Sequence, residues 1–112
     1  MTSKPLMNLV ATQCRPQVEE KFNKWYNDIH IPMLFKFKGM KEVTRYKPLQ
    51  TPGDKGPIYV AVYLFESPSA FEAYGKSPEL AEALAEMKES WPDGGFEIVS
   101  RVQYEPIKTW KK

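Results

Sequence analysis

Apolar residues recur along this chain with two alternating periods, one suited to strands and one to helices. The first run, Leu6 to Cys14, is rich in Leu, Val and Met and is closed by Arg15-Pro16. It reads as a strand, and Pro16 suits the first turn of a helix that follows. In that helix Val18, Phe22, Trp25, Ile29 and Met33 recur every three or four positions. The spacing stacks them on one face for packing against a sheet and leaves Glu19, Glu20, Lys21 and Lys24 outside it. Pro32 lacks an amide hydrogen and disfavours the α conformation at Ile31. A break or kink is therefore expected around His30, with a final turn through Phe37. Gly39 is expected to end the segment.

Met40 to Leu49 reads as a second strand, and the segment 51–57 is too dense in Pro and Gly to be anything but a loop. Ile58 to Phe65 is apolar or aromatic at every position, so both faces of this third strand are expected to be buried. Ser67-Pro68 and Ser77-Pro78 each join a hydroxyl cap to a proline at the first helical position, predicting a short helix and then a longer one. In the longer one Leu80, Leu84, Met87 and Trp91 form the inward stripe, and Glu79, Glu82, Glu86 and Glu89 a solvated side. The 92–95 turn leads to a last strand from Phe96 to about Tyr104, followed by an extended tail with Trp110.

The order β-α-β-β-α-β predicts an α+β, ferredoxin-like fold with an antiparallel sheet, both right-handed crossovers placing their helices on the same sheet face. The other face is left bare, yet the third strand is apolar there too. Tyr59, Ala61, Tyr63 and Phe65 point one way and Ile58, Val60, Val62 and Leu64 the other. A monomer would expose a large apolar patch, which a two-fold homodimer covers most economically with its own copy.

At 112 residues the chain has the length of one domain, expected to span 1–112. A net charge of +2, from 16 basic and 14 acidic residues, is too balanced for nucleic-acid or anionic-membrane binding to be expected. Cys14 is the single cysteine, which fits a reducing compartment, and a cytoplasmic location is expected. Asn8, Thr12 and Gln13 interrupt the amino-terminal apolar run before it reaches signal-peptide or membrane-span length.

The run Trp25-Tyr26-Asn27-Asp28-Ile29-His30-Ile31-Pro32, then Gly39-Met40, Arg45-Tyr46 and Tyr59 to Pro68, resembles the EthD-like branch of the dimeric α+β barrel superfamily. The similarity spans nearly the whole chain. That superfamily includes muconolactone-type isomerases, polyketide cyclases, cofactor-free monooxygenases and haem-degrading enzymes. The resemblance implies a dimeric α+β barrel, with a pocket between the sheet and helices of each protomer and His30 near it. On function it is far less specific than on fold.

His30 is the single histidine, so any imidazole acid–base step must use it, and an ordinary pKa of about 6.5 suits proton transfer near neutrality. The alternative role is structural: capping the helix break or pairing with Asp28, which in turn is placed to orient the imidazole only if the helix breaks. Tyr46, Tyr59 and Tyr63 lie on central strands, where a phenol can donate to a substrate carbonyl or simply pack. Arg45 is a candidate anchor for a carboxylate or enolate if it points inward. Phe22, Trp25 and Trp91 are expected to line or floor the cleft, as core residues also would. Thr44 and Ser100 are further polar strand positions. One histidine and scattered carboxylates lack metal-ligand spacing, Gly94-Gly95 precedes a strand rather than a helix, and the first strand has no RNA-stacking aromatics. No metal, cofactor or RNA is therefore expected.

Two readings remain open. In one, a cofactor-independent lyase, isomerase or cyclase acts on an apolar or aromatic carbonyl compound, His30 moving a proton and a tyrosine stabilising the oxyanion; a cofactor-free monooxygenase is its close variant. In the other, a module without chemistry binds a metabolite or haem, with His30 as hydrogen-bond partner or axial ligand.

Overall fold

The computed structural model describes residues 4–112. Strand β1 (Leu6–Cys14) leads through a single 3-10 turn, Pro16–Val18, into α1 (Glu19–Trp25), a π turn (Tyr26–His30) and α2 (Ile31–Leu34). Strands β2 (Met40–Tyr46) and β3 (Ile58–Phe65), helices α3 (Pro68–Tyr74) and α4 (Pro78–Ser90), and β4 (Phe96–Tyr104) complete the chain. The sheet order is β2-β3-β1-β4, and every neighbouring pair is antiparallel. This is the expected ferredoxin-like α+β architecture.

The two serine–proline helix starts form as their local chemistry dictates. Ser67 accepts a hydrogen bond from the Ala70 amide at 3.1 Å, and Ser77 one from the Leu80 amide at 3.2 Å. Each cap satisfies one of the orphan amides of a helix start, and the proline that follows has no amide to satisfy.

The first helical segment departs from its expected form. It does not break at Pro32: Ile31 keeps helical angles, φ −62° and ψ −45°, and its amide donates five residues back to Tyr26. A π turn adds a residue per turn and rotates the buried stripe. Phe22, Tyr26, His30 and Leu34, each four apart, therefore all face inward beside Trp25, whereas Ile29 is 40 % exposed. Gly39 closes the segment by space rather than by a left-handed angle, since a Cβ there would stand 2.7 Å from the Phe37 ring and 2.9 Å from the Ala70 methyl.

Other differences are smaller. Strand β2 ends at Tyr46 and not at Leu49. Ala83 is the fully buried residue of α4, Leu84 is exposed, and Glu86 turns inward far enough to accept a 2.8 Å hydrogen bond from Trp25 Nε1. Of the two faces of β3, Ala61, Tyr63 and Phe65 are buried under the helices, while Val60, Val62 and Leu64 on the other remain only half-buried in the single chain.

Candidate functional site

The register decides which strand residues meet the helices. Asn8 pairs with Tyr63, Val10 with Ala61 and Thr12 with Tyr59, so Asn8, Val10 and Thr12 share the helix-facing side of β1. On β4, Arg101 lies opposite Val10 and Gln103 opposite Asn8, on that same side. Between this wall and the helices lies a cavity of about 340 Å³. Its polar lining comes from Asn8, Thr12, Tyr26, His30, Tyr63 and Tyr74, with Arg101 and Gln103 on the last strand. Its apolar lining includes Leu80, Leu84 and Met87 of α4 and Ile98 of β4.

His30 is 9 % exposed, and its Nδ1 is buried without a hydrogen-bond partner. The ring stacks on Trp25 with centroids 4.6 Å apart and planes 23° apart, and meets Tyr26 edge-on at 5.0 Å. Burial pushes its pKa down to about 4, against a smaller upward pull from Glu86 and with a further downward push from Arg45. The imidazole is therefore neutral at pH 7. A buried polar atom left unpaired is uncommon, and here it belongs to a side chain in the cavity wall.

The Tyr26 and Tyr63 hydroxyls lie 2.7 Å apart. Each phenol has one O–H, so when one donates to the other the acceptor's own proton stays free. Burial raises the pKa of both, most strongly for Tyr63, and that of Tyr74 is raised for the same reason. At neutral pH these phenols are hydrogen-bond donors and not bases.

Of the residues singled out from the sequence, His30, Trp25 and Tyr63 meet at the cavity. Phe22 and Trp91 are buried behind it, their rings 6.3 Å apart. The others are elsewhere, and for each the reason is local. Tyr46 pairs with Val60 on the opposite sheet face and is 55 % exposed. Asp28 is exposed and paired with Lys24 at 3.3 Å, so it does not orient His30. Arg45 lies over the outer side of Tyr26, 4.4 Å from the ring centroid, and donates to Asn27 at 2.8 Å and Asn23 at 2.9 Å. Tyr59 joins that outer network by bonding Glu19 and Asn23. Ser100 pairs with Ala11 and Thr44 with Val62, both turned away from the helices.

Asn8, Thr12, Tyr26, Tyr74, Arg101 and Gln103 belong to the site and were not singled out. For two of them a signal existed: Asn8 and Thr12 are polar at alternate positions of an apolar strand, on the side that faces the helices. Gln103 Nε2 donates to Asn8 Oδ1 at 2.9 Å, which ties β4 to β1 across the cavity wall. Among the described residues no group of three His, Cys, Asp or Glu converges as metal ligands, and no helix is long and apolar enough to cross a membrane.

Known structures share this architecture. An EthD family protein from Bacillus halodurans superposes with a TM-score of 0.67 at 13 % identity, over 91 % of this chain and 99 % of its own. The hydroxynitrile lyase of Passiflora edulis gives a TM-score of 0.70 at 17 % identity, over 96 % and 98 %. SnoaB, a cofactor-independent oxygenase from Streptomyces nogalater, gives 0.67 at 10 % identity, over 98 % and 100 %. The fold is that of the EthD-like α+β barrel proteins, as the sequence resemblance implied. At these identities the likeness extends to the fold alone. No curated protein matches the chain. A family model described as a domain of unknown function, DUF4286, matches residues 7–102.

Proposed function

We propose that this chain, which belongs to the DUF4286 family, binds a small, largely apolar carbonyl compound between sheet and helices and moves a proton on it through His30. One observation carries the reading: a buried imidazole with an unpartnered nitrogen in the wall of a mostly apolar cavity, beside a pair of tyrosine hydroxyls. The volume of about 340 Å³ lies at the lower end of ligand pockets and suits a one- or two-ring compound rather than a tetrapyrrole.

The chemistry follows from the protonation states. A neutral imidazole offers a lone pair at pH 7, whereas the tyrosines, held protonated, offer an O–H to donate and no base. A C–H bond next to the carbonyl carbon breaks, its proton passes to His30, and its electron pair moves onto the carbonyl oxygen. That oxygen then accepts the free O–H of the Tyr26–Tyr63 pair. A low ground-state pKa makes His30 a weak base before substrate arrives. The imidazolium formed in the step is favoured by the new oxyanion and by the Trp25 face stacked on it. Return of the proton to another atom gives an isomerase, and expulsion of a leaving group a lyase. Two proteins that share this fold are a hydroxynitrile lyase and a cofactor-independent oxygenase, which supports testing lyase and oxygenase substrates first.

The same proposal includes a homodimer in which the bare sheet faces of two copies meet, as the resemblance implied. The half-buried Val60, Val62 and Leu64 support it.

The test is α-proton exchange into heavy water, followed by proton NMR, over a panel of aryl ketones with and without a leaving group on the carbon beyond. The wild type is expected to catalyse exchange on at least one compound, and His30→Gln to slow it by about 10²-fold or more while still binding that compound. Exchange undiminished in the variant would overturn the role of His30. Binding without exchange in the wild type would leave a module that holds its ligand and does no chemistry.

A further inference from the structure

The charges around the cavity are one-sided. Arg101 is the lone formal charge in its lining: no Asp, Glu or Lys contributes to it, and burial keeps His30 neutral. Glu86 is close enough to influence His30, but its carboxylate is taken up by Trp25 Nε1 and the Ser90 hydroxyl. Among the described residues the ion pairs are Lys24 with Asp28 and Lys41 with Glu66, and Arg101 has no carboxylate partner. It is exposed, on the last strand of the sheet, where its charge also acts on Tyr26 and Tyr74.

Arg101 is not alone there. Gln103, two residues on and on the same side of β4, uses Nε2 on Asn8 Oδ1, which leaves the Asn8 amide N–H groups free to donate. Leu84 and Ile98 line the same cavity and remain exposed, an apolar rim beside the guanidinium. A planar fork of N–H donors next to apolar surface matches a carboxylate on a hydrophobic body, because the fork can hold both oxygens while the body enters the cavity.

From this arrangement we propose that the ligand is an apolar or aromatic carboxylic acid, bound as its anion with the carboxylate on Arg101 at the rim and the ring inward toward His30 and the tyrosines. This rests on the cavity being a ligand site, as proposed above, and adds the class of compound and the residue that selects it. Arg101 is then a specificity-determining residue that does not touch the reacting atoms. An acid with a carbonyl or hydroxyl further along its chain would present that group to His30 once the carboxylate is anchored.

Isothermal titration calorimetry with cinnamate and its methyl ester at pH 7.5, on wild type, Arg101→Gln and Arg101→Lys, tests this. The pair differs by one charge and one methyl group. The wild type is expected to prefer the acid by about tenfold, a factor in keeping with a charge-assisted hydrogen bond at a partly exposed site. Arg101→Gln should abolish that preference by bringing the affinity for the acid down to that for the ester, Arg101→Lys should retain part of it, and added salt should shrink it in the wild type. Equal affinity for acid and ester in the wild type, or a preference that survives Arg101→Gln, would overturn the assignment while leaving the cavity a ligand site. Failure of both compounds to bind would overturn the cavity reading and this inference with it.

Discussion

At the scale of single residues, His30 makes its burial measurable through pH. Its imidazole titrates near 6.5 when the chain is unfolded and at about 4 when folded, because the folded environment disfavours the cation. Between those values the unfolded chain binds more protons, so stability is complete above pH 6.5 and falls as the pH drops toward 4. Across that window the loss amounts to about 3 kcal/mol. Urea unfolding of the wild type and of His30→Gln from pH 7.5 to 4 should show this fall in their difference, since the carboxylates common to both cancel. A flat difference would mean that the imidazole is not buried in its neutral form. Residue type alone identified His30, Trp25 and Tyr63 as candidates, but it could not place Tyr46, Asp28, Arg45 or Tyr59. For these, one step of strand register or one turn of helix decides between the cavity and the outside. Arg101 and Gln103 were missed for the same reason: on a strand of mixed polarity nothing local shows which side faces the helices.

Among elements, the connection between β2 and β3 does more than reverse the chain. Gly56 has φ +97°, and a Cβ there would stand 2.0 Å from the Cys14 carbonyl oxygen. Its own carbonyl accepts Gln13 Nε2 at 3.0 Å, and the neighbouring Pro57 carbonyl accepts the Cys14 amide at 3.2 Å. The loop is thus tied to the end of β1 by backbone contact that a side chain would displace. Gly56→Ala is expected to cost more than ~2 kcal/mol. Gly53→Ala, in the same loop with nothing within 4 Å of a Cβ and no positive φ, should be close to neutral. Urea midpoints of the two variants check the contrast, and equal effects would show that the loop yields at Gly56. Elements with local chemistry were legible in the sequence: the serine–proline starts of α3 and α4, the dense loop before β3, and β3 itself. The π turn was not, because a 3.6-residue period was assumed through the first helical segment. Pro32 signalled an irregularity there, but whether the chain breaks or inserts a residue is settled by packing. The inserted residue brings Tyr26 and His30 to the buried side, where Tyr26 meets Tyr63.

For the whole molecule, the question is what covers the second face of the sheet. The chain is a slab with a shortest extent of 20 Å, the thickness of one sheet and one layer of helices. On the side without helices the register gathers Met7, Leu9 and Ala11 of β1, Val60, Val62 and Leu64 of β3, and Val102 and Tyr104 of β4. Beyond β4 the tail adds Ile107, 97 % exposed, and Trp110, 77 % exposed. In the proposed dimer a second copy would supply a surface of matching shape and chemistry and the tail would cross onto it, which would account for apolar side chains that find no place on their own protomer. Val62 discriminates between one chain and two. On a free monomer a lysine there reaches solvent, and the fold survives. In a dimer it puts two charges into the centre of an apolar interface, at a cost of several kcal/mol. Sedimentation equilibrium should therefore find the wild type dimeric and Val62→Lys monomeric, with the far-ultraviolet circular dichroism of a folded α+β protein in both. Removal of residues 107–112 should weaken association without abolishing it, because the sheet faces would still meet. A wild type that sediments as a monomer at micromolar concentration would sink the facing-sheet dimer. The cavity would survive that result, because the residues that line it belong to one chain and lie on the other side of the sheet.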